Sequence, residues 1–128
     1  MKEKQIPVVF VVDDEVIISK SIALILQKNG YAARYFTNSV EALEHIHADP
    51  PDILISDVVM PQLSGVDLAV QAQTHYSGCR VLLFSGQAST IDRLYEVRKQ
   101  GYTFTLLSKP VHPTDLLQEV ERLLGTSA

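Results

Sequence analysis

The sequence predicts an open α/β fold, a parallel sheet with helices on both faces. Short apolar runs alternate with longer segments of helical period, five times over. Two of the runs, residues 8–12 and 81–84, are continuous rather than alternating, as in strands buried on both faces. The five strand–helix units use nearly all of the 128 residues, leaving no linker, repeat or low-complexity tract and only residues 125–128 as a tail. Strict alternation requires a parallel sheet, and strand and helix handedness makes its crossovers right-handed.

Each element has its own signal. Residues 8–12 read as the first strand. Ile18, Ile22, Ile25 and Leu26 share one face of the first helix, which Asn29-Gly30 stops. Residues 31–36 are a weaker run, interrupted by Arg34, and suit an edge strand. Val40, Leu43 and Ile46 mark a short second helix, opened by Asn38 or Ser39 and closed before Pro50-Pro51. Residues 53–55 are the third strand and 66–76 the third helix. Residues 81–84 are the fourth strand, and 90–99 the fourth helix, closed by Gly101. Residues 104–107 are the fifth strand. Leu116, Leu117, Val120, Leu123 and Leu124 form the last helix, with Pro113 at its first position.

Composition narrows the function classes. The chain is 46 % hydrophobic and 20 % charged, an ordinary globular mix of one-domain size. Eleven basic against 15 acidic residues, net −4, argue against a nucleic-acid-binding face. A lone cysteine, Cys79, excludes an internal disulfide and a multi-cysteine zinc site. No apolar run approaches the roughly 20 residues of a membrane span. The charged segment 1–7 is too short for a signal peptide. The expectation is a soluble, cytoplasmic single domain.

In an open α/β sheet, ligands bind beyond the carboxyl ends of the strands, near the topological switch point. The first strand is followed there by Asp13, Asp14 and Glu15, the second by Thr37 and Asn38, and the third by Asp57. Ser85 and Gly86 follow the fourth, and Lys109 and Pro110 the fifth. One aspartate after a strand is most often a turn former or helix cap. Several carboxylates at one sheet edge repel one another and need a cation. Lys109 supplies one positive charge. Oxygen ligands without nearby His or Cys point to Mg²⁺ rather than zinc for the rest. A metal, a lysine and a small hydroxyl around a carboxylate nucleophile make a phosphoryl-transfer site.

With these residues in place, the chain resembles the receiver domain of two-component response regulators, CheY-like, over about residues 8–124. The likeness rests on Val11-Val12-Asp13-Asp14-Glu15, on Asp57-Val58-Val59-Met60-Pro61 with Gly65 beyond it, on Phe84-Ser85-Gly86 and on Lys109-Pro110. It implies a flavodoxin-like (βα)5 three-layer sandwich with a five-stranded parallel sheet of order 2-1-3-4-5. The whole chain, 1–128, would be one receiver domain with its core at about 7–124. Asp57 would be the phospho-acceptor. Asp14, Asp57 and the main-chain carbonyl of Val59 would ligate Mg²⁺, with Asp13 acting through water. Ser85 and Lys109 would bind phosphoryl oxygens. A cis Lys109–Pro110 bond and a close turn at Gly65 are also implied. The donor would be a sensor histidine kinase or histidine phosphotransfer protein. The surface of the fourth helix, fifth strand and fifth helix would switch to control a partner or output domain, and could form a homodimer. Such a module is a signalling domain, catalysing only its own phosphorylation and dephosphorylation.

Two departures from the family stand out. Leu106 occupies a position where the family usually has an aromatic, with Phe104 two residues earlier on the same strand face. The interval from Ser85 to Lys109 is longer than usual, so the fourth helix or its exit loop must absorb an insertion. Ile17, Ser21 and Leu24 form a second stripe on the first helix, which reads either as a flank of the core or, as the resemblance implies, as the face that docks the kinase's histidine domain. His45 and His47 sit two apart on a helix and cannot share a face. His75 and His112 read as surface or capping residues, and Cys79 as a small buried hydrophobe. Tyr95, Arg98 and Lys99 read either as part of an output surface or as a solvated helix face.

Two other functions compete. An aspartyl-phosphate hydrolase of the haloacid-dehalogenase kind needs a second acid two residues after its nucleophile. Val59 stands there and transfers no proton. A flavodoxin needs a phosphate-cradling loop after the first strand, where Asp13-Asp14-Glu15 would repel the phosphate.

Overall fold

The structure, a computed structural model, describes residues 6–125. The expectations for the first five residues and for 126–128 lie outside the described residues. The elements run β1 (Val8–Val12), α1 (Val16–Lys28), β2 (Ala32–Phe36), α2 (Ser39–Ala48), β3 (Ile53–Asp57), α3 (Gly65–His75), β4 (Arg80–Ser85), α4 (Ser89–Lys99), β5 (Thr105–Ser108) and α5 (Pro113–Leu124). All strand pairs are parallel, in the order β2-β1-β3-β4-β5. Among the described residues, no helix is long and apolar enough to cross a membrane.

Strand side chains alternate between faces, and the core divides accordingly. Val9, Val11, Ile53, Ile55, Leu82 and Phe84 pack with Ile22, Ala23 and Leu26 of α1 and Leu116 and Val120 of α5. Phe10, Val12, Leu54, Val81 and Leu83 face the other way, onto α2, α3 and α4 through Ile46, Leu68 and Val97. This double burial explains the continuous apolar runs. β2 buries only Ala33 and Phe36 of its five residues, as an edge strand does. The Arg34 guanidinium lies 5.1 Å from the Phe36 ring centre and 5.6 Å from that of Phe10.

Local chemistry sets the helix ends. Asn38 is the N-cap of α2, accepting from the Glu41 N–H at 2.9 Å. Ser39 is already helical, and its hydroxyl donates to the Pro61 carbonyl at 3.3 Å instead. Ser64 caps α3 by accepting from the Asp67 N–H. Gly101, at φ +100°, turns the chain out of α4, a conformation other residues adopt at a cost.

The fifth strand begins at Thr105, not Phe104 as the pattern suggests. Its pairing with β4 starts at Leu82↔Thr105, and Phe104 lies before the ladder. Phe104 and Leu106 nevertheless pack against the same core face. The exit from α4 is held by Tyr102, whose ring lies 6.2 Å from that of Phe104 and whose hydroxyl is 2.7 Å from the Thr74 hydroxyl.

Candidate functional site

β1 and β3 are neighbours, and the chain leaves them in opposite directions across the sheet, so a cleft opens at their carboxyl ends. Asp13 and Asp14 follow β1, and Asp57 ends β3. Their carboxylate oxygens lie within 4.8 Å of one another. Lys109, just past β5, places its Nζ 3.0 Å from Asp57 Oδ1. Three carboxylates and one ammonium leave the cluster itself with two uncompensated negative charges.

The acids differ in their surroundings. Asp14 is exposed, while Asp57 is 5 % and Asp13 0 % exposed. Asp13 Oδ1 accepts from the Glu15 N–H at 2.9 Å. Asp13 Oδ2 is buried with no hydrogen-bond partner among the described residues. Burial pushes the Asp13 carboxyl up to about 6; the Glu15 N–H opposes this, Asp57 adds to it, Lys109 opposes and Asp14 adds. Burial also pulls the Lys109 ammonium down, but the hydrogen bond and charge of Asp57 outweigh it, helped by Asp13 and Glu15, so its pKa is raised.

A buried carboxylate with an orphaned oxygen, clustered with two other carboxylates, fits a small hard cation with oxygen ligands. Val59, two residues past Asp57, is 52 % exposed at the rim. Ser85 ends β4 beside the Asp57-bearing strand, and its Oγ accepts from the Gln87 N–H at 3.0 Å. The Lys109 N–H donates to the Ser85 carbonyl at 3.1 Å, tying the two strand ends together. The Lys109–Pro110 bond is cis. Gly65 admits the close return of the chain: a Cβ there would lie 2.8 Å from the Asp57 carbonyl carbon and 2.9 Å from Val58 Cα. The Gly65 N–H donates to the Val58 carbonyl at 2.8 Å.

The fold thus brings together Asp13, Asp14, Asp57 and Lys109, with Ser85 and Val59 on the adjoining strand end and loop. Sequence reasoning missed two neighbours. The Phe84 ring lies beneath Lys109, 5.4 Å from its Nζ; the signal was an aromatic next to Ser85 on the strand that pairs with β5. Thr90, 3 % exposed in the first turn of α4, has its hydroxyl 2.8 Å from Ser85 Oγ. No local pattern announced that contact.

The sequence profile of the response regulator receiver domain matches residues 9–121. The chain belongs to the receiver-domain family of two-component response regulators. It is 28 % identical to the response regulator receiver protein CpdR of Brucella abortus, over 91 % of this chain and 95 % of that one. It is 34 % identical to the phosphoglycerate transport system transcriptional regulatory protein PgtA of Salmonella typhimurium, over 91 % of this chain but 28 % of PgtA. A crystal structure of a receiver domain protein from Clostridium thermocellum superposes with a TM-score of 0.84 at 26 % identity, over 94 % of this chain and 96 % of that one.

The other singled-out residues lie outside the acidic cluster. The His45 ring packs on Phe36, with centres 5.1 Å apart, and His47 meets His75 edge-on at 4.3 Å. His112 sits at the N-cap of α5 without a side-chain capping bond. Cys79 is 1 % exposed, and burial pushes its thiol up to about 11, so it is a poor nucleophile. Ile17 and Leu24 of the second α1 stripe are exposed, Ile17 by 77 %. Ile17, Ile18, Ser21 and Ile25 face Pro110 and Val111 across an apolar groove of about 510 Å³ that reaches Lys109. On α4, Tyr95 is 63 % exposed with Lys99 Nζ 4.8 Å from its ring centre.

Proposed function

We propose that this receiver domain accepts a phosphoryl group on Asp57 from a phosphohistidine of a sensor histidine kinase or histidine phosphotransfer protein, in an Mg²⁺-dependent reaction. The observation that carries the reading is the Asp57 carboxylate, nearly buried, 3.0 Å from Lys109 Nζ and within one cluster with Asp13 and Asp14. An Asp57 oxygen attacks phosphorus. The phosphorus–nitrogen bond to the donor imidazole breaks, and its electron pair returns to the ring. Lys109 moves its charge onto a phosphoryl oxygen, and the Ser85 hydroxyl donates to another. Asp14, Asp57 and the Val59 carbonyl would hold Mg²⁺, with Asp13 binding through a water. The bound ion supplies charge neutralisation for the oxygens of the phosphoryl group.

The apolar groove beside α1 is the docking surface in this reading. It lies next to Lys109, and Ile17 at its rim would exclude water once covered. The whole chain acts as one unit with its core at about residues 7–124, in the cytoplasm. Phosphorylation switches the α4–β5–α5 surface, where Tyr95 and Ile91 are exposed, to control a partner or output domain or to form a homodimer.

Exposure of the protein to acetyl phosphate and Mg²⁺ tests the reading. Stable incorporation of one phosphoryl group per chain is expected. Continuous turnover of the donor with no labelled intermediate would favour an aspartyl-phosphate hydrolase instead.

A further inference from the structure

The Ser85 hydroxyl is held by two groups, and only one of them has a choice of proton direction. Its Oγ lies 3.0 Å from the Gln87 main-chain nitrogen and 2.8 Å from Thr90 Oγ1. Ser85 is 6 % and Thr90 3 % exposed. A hydroxyl carries one proton and two acceptor sites. The Gln87 N–H can only donate, so it fills one acceptor site of Ser85.

Counting protons settles the Ser85–Thr90 bond. Ser85 is the hydrogen-bond partner of Thr90 Oγ1 among the described residues. If Ser85 donated, the Thr90 proton would be buried with no acceptor, which is unfavourable. If Thr90 donates, every group is served: Ser85 accepts from Gln87 and from Thr90, and its own proton remains. The direction left at the tetrahedral oxygen leads away from the β4–α4 loop and α4. Ser85 itself ends β4 next to the strand that ends in Asp57, and the Lys109 N–H donates to its carbonyl, so a phosphoryl group on Asp57 would lie beside it.

We infer that Thr90 is a positioning residue for phosphoryl transfer: by donating to Ser85 it aims the Ser85 proton at the phosphoryl oxygen before the donor arrives. The inference rests on Asp57 being the acceptor. A preoriented donor needs no reorganisation during the reaction, so its benefit appears in the rate of transfer. Without the Thr90 hydroxyl, Ser85 can turn its proton elsewhere, and part of that benefit is lost.

The test is a double-mutant cycle on the full chain, reading the rate of labelling by acetyl phosphate at saturating Mg²⁺. Thr90→Val keeps the shape and removes the hydroxyl. It should slow labelling about fivefold, and Ser85→Ala at least about tenfold. Thr90→Ser should restore the rate to near wild type. In the Ser85→Ala background, Thr90→Val should slow labelling no further. Thr90→Ala, free of the β-branch, should match Thr90→Val, which guards against a packing effect of valine. An equal slowing by Thr90→Val with and without the Ser85 hydroxyl overturns the inference, as does a wild-type rate in both hydroxyl-free variants. Failure of the underlying reading looks different: wild type then takes no label, or Asp57→Asn is labelled like wild type.

Discussion

Replacing Asp13 by Asn should stabilise the metal-free protein, the reverse of what altering a buried polar residue ordinarily does. Asp13 is fully buried, one of its oxygens has no hydrogen-bond partner among the described residues, and its carboxyl is pushed up to about 6. In an unfolded chain an Asp titrates at about 3.9. The folded protein therefore binds more protons between about pH 4 and pH 6, and stability falls as the pH rises through that window. A gap of about two units, at about 1.4 kcal/mol each, makes ionised Asp13 destabilising by about 3 kcal/mol at neutral pH. Asn is close to isosteric, carries no charge and keeps an oxygen for the Glu15 N–H. Urea unfolding in the presence of a chelator should therefore show Asp13→Asn more stable than wild type by about 2–3 kcal/mol near pH 7.5. The difference should shrink below about pH 6 and vanish near pH 4. Added Mg²⁺ should raise the melting temperature of wild type more than that of the variant. A variant less stable than wild type at neutral pH, or a difference that does not change with pH, would mean that ionised Asp13 does not destabilise the fold.

Gly65→Ala should cost about 3 kcal/mol in urea unfolding, because the new Cβ meets main-chain atoms of Asp57 and Val58 that cannot swing aside; near-neutral stability would contradict the close approach. Val59→Asn should speed loss of the phosphoryl group several-fold, since Asn can orient the attacking water that branched, apolar Val59 obstructs; decay of labelled protein in Mg²⁺ measures this, and an unchanged rate or wild-type decay within seconds refutes it. Ile17→Arg should slow transfer from a phosphorylated histidine domain about tenfold, and a wild-type transfer rate would remove the α1 rim from the docking surface.

The sheet was legible where burial on both faces suppresses alternation. β1 and β4 read as unbroken apolar runs, and Arg34 gave away the edge position of β2. The start of β5 was not legible, because it depends on register with β4 rather than on the apolarity of Phe104. The acidic cluster and Lys109 could be placed from the sequence because each follows a strand, and parallel strands end together. Which acid bears the electrostatic strain could not: Asp13 and Asp14 are adjacent and alike in sequence, yet one is fully buried and the other faces water. Thr90 escaped notice for a related reason. Its contact with Ser85 comes from the path of the β4–α4 loop, which no spacing rule encodes.

Asp57 is the proposed carrier of the phosphoryl group. The most direct measurement treats wild type and Asp57→Asn with acetyl phosphate and Mg²⁺, then locates the modified residue by mass spectrometry of peptides. One phosphoryl group, labile to base and to hydroxylamine, on the peptide containing Asp57 and absent from a folded Asp57→Asn protein is the expected result. Labelling of any other residue in wild type, or undiminished labelling of Asp57→Asn, would contradict it.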